Sequence, residues 1–165
     1  MISCLKDITL KILVFGPSPK IAHPAGLMAD LAKKRRAIKD ALISDGHEVA
    51  FPEDLMVGTV DPLIENEFVW EQMLVHKYDM VVNLVGSPGT ISEISLFMSK
   101  ELAQKASLFF NESHKSGLSF KQAEVIEALG GNLDTYVYPD DLASCNLMKQ
   151  IREKVKAVRI AKFYT

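Results

Sequence analysis

The chain has few cysteines and no strong excess of charge of either sign. Its two cysteines, Cys4 and Cys145, cannot build a disulfide framework, and no CxxC pair or histidine cluster beside them offers zinc ligands. We therefore expect free thiols in a reducing compartment and no metal site. Lysine and arginine number 19 against 21 aspartates and glutamates, so the formal charge of -2 gives no general attraction to nucleic acid or to an anionic membrane.

Long apolar runs are also missing. The longest ones, at residues 12–15 and 80–82, fall far short of the ~20 residues that a membrane-spanning helix needs. The first ten residues carry Lys6 and Asp7 and lack the apolar core of a secretory signal peptide. We expect a soluble, cytoplasmic protein with neither a membrane nor a nucleic acid as its partner.

What the chain does have is enough apolar material for one folded domain. Hydrophobic residues make up 48% of its 165 residues, and no low-complexity tract, repeat or linker interrupts them. A domain of this length buries roughly 70% of the surface that its unfolded chain exposes. The sequence predicts a single nucleotide-binding domain over residues 1–165.

Short apolar runs alternate with longer segments of helical period. The runs predict five strands, at residues 8–16, 47–51, 79–85, 106–111 and 135–138. The segments between and after them predict helices at about residues 25–45, 61–77, 91–104, 120–129 and 140–160, the last capped by Asp140 or Asp141. Strict β-α alternation indicates an α/β fold: a doubly wound, five-stranded parallel sheet, Rossmann-like or flavodoxin-like, with helices on both faces.

The loop after the third predicted strand has the most unusual composition. It reads Gly86-Ser87-Pro88-Gly89-Thr90-Ile91-Ser92-Glu93. In doubly wound sheets ligands bind beyond the carboxyl ends of the strands, and glycines followed by the exposed amides of a helix start favour a phosphate. Thr90 and Glu93 also have the spacing of a helix capping box, and both interpretations remain open.

This loop resembles the phosphate-loop motif of the SLOG superfamily, which includes LOG-type phosphoribohydrolases, DprA-like domains and sensor domains attached to bacterial defence effectors. It is similar, too, to the Gly-Thr-x-x-Glu segment of nucleoside 2-deoxyribosyltransferases and their nucleotide N-glycosidase relatives. The chain keeps Gly86, Gly89, Thr90 and Glu93, and has Val85 and Ser87 where the phosphoribohydrolase motif has proline and a second glycine. The resemblance implies a nucleotide or nucleoside ligand, with Glu93 beside the ribose.

The loop after the first predicted strand resembles the first phosphate- or ribose-contacting loop of the same superfamily. Gly16 allows close approach of a ligand, Ser18 offers a hydroxyl and Lys20 a positive charge. The alternative is a turn stiffened by its two prolines. His23, nearby, is a candidate general acid or base, or simply a solvated loop histidine.

Two acidic residues follow the second predicted strand. Dinucleotide-binding folds hold ribose hydroxyls at this place, so Glu53 is a candidate ligand-binding residue and Asp54 a candidate second carboxylate across from Glu93. They also suit the start of a helix or turn. The basic run at residues 33–36 is interpreted as the solvated face of the first helix, with Arg35 or Arg36 reaching a phosphate as the alternative.

These residues favour an enzyme that hydrolyses or transfers an N-glycosidic bond of a nucleotide or nucleoside. A carboxylate stabilises or attacks the oxocarbenium-like sugar of such reactions, and Glu93 has this role in our hypothesis, kept charged by a helix N-terminus. Asp54 or His23 would handle protons. The residues expected to bind phosphate or ribose are Gly16, Ser18, Lys20, Glu53, Gly86, Ser87, Gly89 and Thr90.

The main alternative is a binding module that senses a nucleotide signal, such as an ADP-ribose derivative, without consuming it, in a role linked to bacterial defence. The similarity to defence-associated sensor domains supports this alternative. A third is a subunit with a vestigial pocket. In every case we expect no cofactor, a small-molecule nucleotide or nucleoside as the ligand, and a homodimer or larger homo-oligomer.

Overall fold

A computed structural model describes residues 7–56, 67–86 and 88–165. Its strands form a five-stranded sheet in the order β2-β1-β3-β4-β5, and every neighbouring pair is parallel. The doubly wound α/β fold is thereby confirmed. The strands are β1 (Lys11–Phe15), β2 (Glu48–Ala50), β3 (Met80–Val85), β4 (Ala106–Asn111) and β5 (Asn132–Tyr136).

Helices connect the strands and cover both faces of the sheet. They are α1 (Leu27–Ser44), α2 (Pro52–Leu55), α3 (Glu67–Lys77), α4 (Pro88–Glu93), α5 (Lys100–Ala103), α6 (Leu118–Ala128), α7 (Asp140–Ala143) and α8 (Asn146–Phe163). Two 3₁₀ turns lie at Ile94–Phe97 and Glu112–His114. The helix predicted over 61–77 ends at Lys77 as expected, and its predicted start lies outside the described residues.

The core has two apolar layers because successive side chains of a strand point to opposite faces. All residues of β3 and β4 are buried, which is the pattern of central strands covered on both sides. On one face Val82 and Leu84 pack with residues of α1 and α8, among them Ile38 and Ile151. The opposite layer contains Val81, Val85, Phe97 and Ile126.

Two predicted helices are broken in the structure. The segment predicted as one helix over 91–104 divides into the end of α4, a 3₁₀ turn and α5, whose first turn is capped by Ser99 Oγ accepting from Leu102 N at 3.3 Å. The final helix is interrupted between α7 and α8, where Ser144 Oγ accepts from Asn146 N at 3.2 Å. In both places the helix is interrupted at a serine whose hydroxyl oxygen accepts a hydrogen bond from a backbone N–H.

The ends of the strands place the loops of interest together. Phe15 of β1 pairs with Asn83 of β3, and Val85 pairs with Phe110 of β4. The loops after β1, β2, β3 and β4 therefore open on one side of the sheet, called the carboxyl edge below, as the sequence predicted. Over the residues that the structure describes, none of the helices combines the length and the apolar content that crossing a bilayer requires.

Candidate functional site

The buried side chain of Arg35 forms hydrogen bonds with the segments at the carboxyl ends of β1 and β2. Only 2% of its surface is exposed, and its Nε and Nη2 donate to the carbonyl of Val14 at 2.9 and 2.7 Å. Nη1 donates to the carbonyl of Gly16 at 2.9 Å, and the guanidinium lies 4.2 Å from the ring centre of Phe51. The interpretation of the basic run as a solvated face is therefore wrong for Arg35, which holds the end of β1.

Glu53, a predicted ribose ligand, is bound by this same arginine. Nη1 and Nη2 of Arg35 donate to Oε1 and Oε2 of Glu53, both at 2.7 Å, and the carboxylate side chain is 33% exposed. A bidentate pair of this kind fixes the carboxylate in position. It ties the loop after β2 to α1. The direct ligand contact expected of Glu53 stays a prediction.

Asp54 and Lys20, predicted to act on a proton and a phosphate, are paired with each other. Asp54 also accepts from Lys39 Nζ at 3.1 Å. Partial burial acts to raise the pKa of Asp54, but the hydrogen bonds and charges of the two lysines outweigh it, and the pKa lies below its ordinary value of 3.8. The side chain is therefore a carboxylate at neutral pH, with two cations in contact. Its role as a proton carrier stays a prediction.

Ser18 and His23 face each other within the loop after β1. His23 Nε2 donates to the Ser18 carbonyl at 2.8 Å, and Ser18 Oγ accepts from Lys20 N at 3.3 Å. Beside them is a cleft of about 240 Å³ between this loop and α1. Its lining includes His23 together with the basic residues Lys33 and Arg36. The predicted residues of this loop thus lie beside a positively charged surface.

Gly16 and Gly86 both lie against α1. A Cβ at Gly16 would stand 3.2 Å from Arg35 Cδ, and Gly16 has a φ of 150°. A Cβ at Gly86 would stand only 2.2 Å from Leu31 Cδ1. At Gly86, close packing of the loop on Leu31 of α1 favours glycine without any contact with a ligand. The two glycines can contact a ligand only through backbone atoms, and the ligand contact expected of them stays a prediction.

The Thr90 side chain is turned inward. It is 1% exposed, and its Oγ1 accepts from Gly86 N at 3.1 Å. Because α4 begins at Pro88, Thr90 lies inside the helix, so the capping box with Thr90 as the cap is wrong. Gly89 lies in the first turn of α4, and Ser87 lies outside the described residues.

The early start of α4 also changes the position of Glu93. We expected this residue close to a helix N-terminus, but it is the last residue of α4 and comes directly before the 3₁₀ turn Ile94–Phe97. Its side chain is partly buried. Glu93 therefore lacks the helix N-terminus that was expected to keep it charged, and its catalytic role stays a prediction.

A second cleft, of about 310 Å³, opens between the carboxyl ends of β3 and β4 and is called the β3–β4 cleft. Its apolar side is formed by Val85, Ile91 and Phe110. Glu93 lies two residues after Ile91 on α4 and is not among the residues that line the cleft. The other side comes from the loop after β4. The remaining lining residues are Gly86, Ser113, His114, Ser116, Gly117 and Ser119.

The sequence analysis missed the residues that the loop after β4 contributes to this cleft. The available signal was the polar stretch at residues 111–117, which follows a buried strand and holds serines, a histidine and a glycine. Asn111 Oδ1 accepts from Ser113 N at 3.2 Å, which turns the chain at the end of β4. This turn brings the loop back over the edge of the sheet.

A family model matches residues 32–165, and its description is STM3845 retron effector protein. The chain belongs to the STM3845 retron effector family. This family is associated with bacterial defence. No curated protein matches the chain in sequence.

The part matched to the retron effector family begins inside α1 and contains most of the candidate site. It includes Arg35, Glu53 and Asp54, the loop after β3, Glu93 and all residues that line the β3–β4 cleft. The predicted residues Gly16, Ser18, Lys20 and His23 precede it. The β3–β4 cleft is therefore the candidate site that lies wholly within the family match.

The described residues of this chain offer no ready metal centre. Within residues 7–56, 67–86 and 88–165, no three His, Cys, Asp or Glu side chains are grouped so that they could hold an ion.

Next to the site, Tyr136 is buried and its hydroxyl donates to the Val85 carbonyl at 3.4 Å. Burial raises the pKa of Tyr136, so this hydroxyl keeps its proton and holds the end of β3.

Proposed function

We propose that this retron effector family member breaks the N-glycosidic bond of a nucleotide or nucleoside in the β3–β4 cleft. The observation that carries the proposal is the position of this cleft. It opens at the carboxyl ends of two central strands, the side of open α/β sheets that binds ligands, and it borders β3, which with β1 forms the topological switch point of this sheet. One of its walls is the helix that ends in Glu93.

The lining of the cleft suits a nucleoside. Ile91 offers an exposed apolar side chain against which a base can lie, and the nearly buried Val85 and Phe110 line the same side of the cleft. Across from them are hydroxyl groups and an imidazole, which are donors and acceptors for a sugar or a phosphate: Ser113, His114, Ser116 and Ser119. A volume of about 310 Å³ lies at the lower end of the range for small-molecule sites.

The chemistry requires a negative group beside the sugar. When the bond between C1′ and the base nitrogen breaks, its electron pair leaves with the base and positive charge develops on C1′ and the ring oxygen. The Glu93 carboxylate stabilises that charge or attacks C1′ directly. Water, or an acceptor base in a transferase, then bonds to C1′, and a proton goes to the departing base nitrogen. His114 lines the cleft and is a further candidate for this proton transfer.

The engagement of the other carboxylates favours a second candidate function, a sensor that binds a nucleotide without cleaving it. Glu53 is held by Arg35, and Asp54 is held by Lys20 and Lys39. The second carboxylate that we expected opposite Glu93 is therefore already neutralised by cations. An effector family is nevertheless expected to act on its target, which supports the enzyme as the first candidate.

The test is release of a base. The protein is incubated with nucleoside monophosphates, deoxynucleosides, NAD and cyclic ADP-ribose, and free bases are separated by chromatography. We expect one class of substrate to release its base. Glu93→Gln should lower the rate at least about 100-fold, the scale for removing one preorganised electrostatic group.

A matched control variant and a measurement of nucleotide binding distinguish the enzyme from the sensor. Glu127→Gln makes the same change on the exposed side of α6 and should leave base release unchanged. Saturable nucleotide binding without base release would replace the enzyme with the sensor. Full base release by Glu93→Gln would remove Glu93 from the mechanism, and neither binding nor release with the whole panel would contradict both functions.

A further inference from the structure

A cleft of about 410 Å³ lies at the amino end of the strands, on the side of the sheet opposite the carboxyl edge. It is called the amino-edge cleft. One wall is the turn between α1 and β2, and the other is one face of α8. Its lining residues are Asp45, His47, Arg152, Val155, Lys156 and Arg159. None of the residues assigned to the proposed function belongs to it.

His47 lines this cleft and has a buried ring nitrogen without a partner among the described residues. It is 5% exposed, and its Nδ1 accepts from the backbone N–H of Leu10 at 3.2 Å. Burial lowers the pKa of His47, the charge of Arg159 lowers it further, and Asp45 only partly opposes them. The ring is therefore neutral near pH 7, with its proton on Nε2, across the ring from Nδ1. Within the described part of the chain Nε2 has no hydrogen-bond partner, which is costly for a buried donor.

The two arginines of the cleft are held in place with donors to spare. Arg152 donates from Nε and Nη2 to the carboxylate of Asp45, at 2.7 and 3.1 Å. Arg159 donates from Nε to the Ile8 carbonyl and from Nη2 to the Asp45 carbonyl, at 3.1 and 3.2 Å. A guanidinium has five donors, and neither Nη1 has a partner among the described residues.

Lys156 adds a third cation on the same face of α8. Its side chain is exposed, and its ammonium group forms no ion pair or hydrogen bond with any residue that the structure describes. The cleft thus combines three cationic side chains with a neutral N–H donor. Its one carboxylate, Asp45, has both oxygens engaged by Arg152. The available groups are almost all donors, so the complementary ligand is an anion rich in acceptors.

We propose that the amino-edge cleft binds the phosphate group of a small phosphomonoester. The Nη1 groups of Arg152 and Arg159, Lys156 Nζ and His47 Nε2 are the donors that hold it. Arginines with two nitrogens already fixed by the protein are preorganised for the planar, charge-assisted contacts that phosphate oxygens accept. The cleft is larger than a phosphate ion alone requires, which leaves room for the organic part of the ester.

The experiment follows the imidazole signals of the intact protein by NMR. The chain has four histidines, so the signals of His47 can be assigned individually. Inorganic phosphate and AMP are titrated separately at constant ionic strength, balanced with sodium chloride. We expect a saturable shift of the His47 ring signals with a Kd of about 1 mM or tighter, an affinity typical of a single anionic group in a built site.

Two variants on α8 distinguish a defined phosphate site from general electrostatic attraction to a basic surface. Lys156→Ala should weaken phosphate binding about tenfold, because one charge-assisted hydrogen bond is lost. Lys149→Ala removes the same charge from an exposed position on the same helix that does not line the cleft, and it should leave the Kd unchanged. Equal weakening by both variants would contradict a defined site.

The remaining outcomes are also decisive. Absence of a saturable His47 shift with both phosphate and AMP would overturn the proposal. So would a shift produced by an acidic peptide but by neither phosphate compound, because the occupant would then be a protein. In the Glu93→Gln variant the His47 shift should persist unchanged, since the two clefts lie at opposite edges of the sheet.

Discussion

The buried guanidinium of Arg35 donates hydrogen bonds to both carboxylate oxygens of Glu53 at 2.7 Å, and it also donates to the backbone carbonyls of Val14 and Gly16. One side chain of α1 thus joins the end of β1, the loop after it and Glu53, which lies in the segment after β2. Two of the segments predicted to form a ligand site, those after β1 and β2, depend on this contact for their relative position.

Arg35→Met should therefore destabilise the fold strongly. The change removes the Arg35 donors from Glu53 and from the backbone carbonyls of Val14, Gly16 and Pro17, and removing one partner of a buried ion pair costs about 3–5 kcal/mol. The free energy of unfolding from urea denaturation measures it. Arg36→Met is the matched control: Arg36 is exposed and donates one hydrogen bond, to the Pro19 carbonyl, so we expect less than about 1 kcal/mol. Similar losses in both variants would contradict the central role of Arg35.

Gly86→Ala should show that this glycine serves packing. The added Cβ would stand 2.2 Å from Leu31 Cδ1, and Leu31 is fully buried, so one of them must move, at a cost of about 1–3 kcal/mol. Leu31→Ala alone leaves a cavity and costs about 2–5 kcal/mol.

Combined, the two substitutions should cost clearly less than the sum of their separate effects, because the new methyl group enters the space that Leu31 leaves. Unfolding free energies of the two single variants and the double variant measure this coupling. Simple additivity would mean that Gly86 and Leu31 do not compete for the same space.

Much of the fold could be predicted because β1, β3 and β4 are mostly apolar runs between polar segments. The fifth strand, predicted at residues 135–138, lies at Asn132–Tyr136, because its polar residues hide the strand pattern. The fourth strand, residues 106–111, has the predicted bounds, and the parallel order follows from β-α alternation. The helix breaks were harder to predict because Ser99 and Ser144 act through local hydrogen bonds, which hydrophobic period does not contain. In retrospect each serine was a cap signal inside an otherwise helical pattern.

The candidate site could be predicted only in part. The motif indicated the carboxyl edge of the sheet, where the β3–β4 cleft opens, because glycines and polar residues follow β1 and β3. The burial of Arg35 had a signal that we did not use: residues 31, 35, 38 and 42 form one stripe of α1, so an arginine at position 35 faces the core. The ion pairs of Glu53 and Asp54 depend on contacts distant in sequence, which no local pattern contains.

His47 should make the stability of the protein depend on pH near neutrality. Because burial and Arg159 lower its pKa in the folded state below the ordinary 6.5, the unfolded chain takes up a proton first as the pH falls. Stability is therefore fully present above about pH 6.5 and is lost below it, by at most about 1.4 kcal/mol per pH unit.

Melting temperatures between pH 5 and 8, in buffers without phosphate, measure this dependence. His47→Gln keeps an acceptor for the Leu10 N–H and does not titrate, so its stability should change less over the same range. An identical pH dependence in both proteins would assign the effect to other groups.

Substitutions of Thr90 can show whether this residue shapes the loop after β3 or binds the ligand. Its Oγ1 accepts from Gly86 N, and the side chain is 1% exposed. Thr90→Val keeps the shape but leaves the Gly86 N–H without this acceptor, so we expect a loss of about 1–3 kcal/mol of stability. Thr90→Ser keeps the hydroxyl and should cost less than about 1 kcal/mol.

Nucleotide affinity measured on the same two preparations completes the test. If Thr90 acts by holding the loop, affinity should fall in Thr90→Val together with stability and stay near the wild-type value in Thr90→Ser. If Thr90→Val instead keeps its stability and loses its affinity, the hydroxyl is needed by the ligand and not by Gly86. The inward orientation of Thr90 favours the first outcome, because a side chain with only 1% of its surface exposed leaves little area for a phosphate or a ribose to contact.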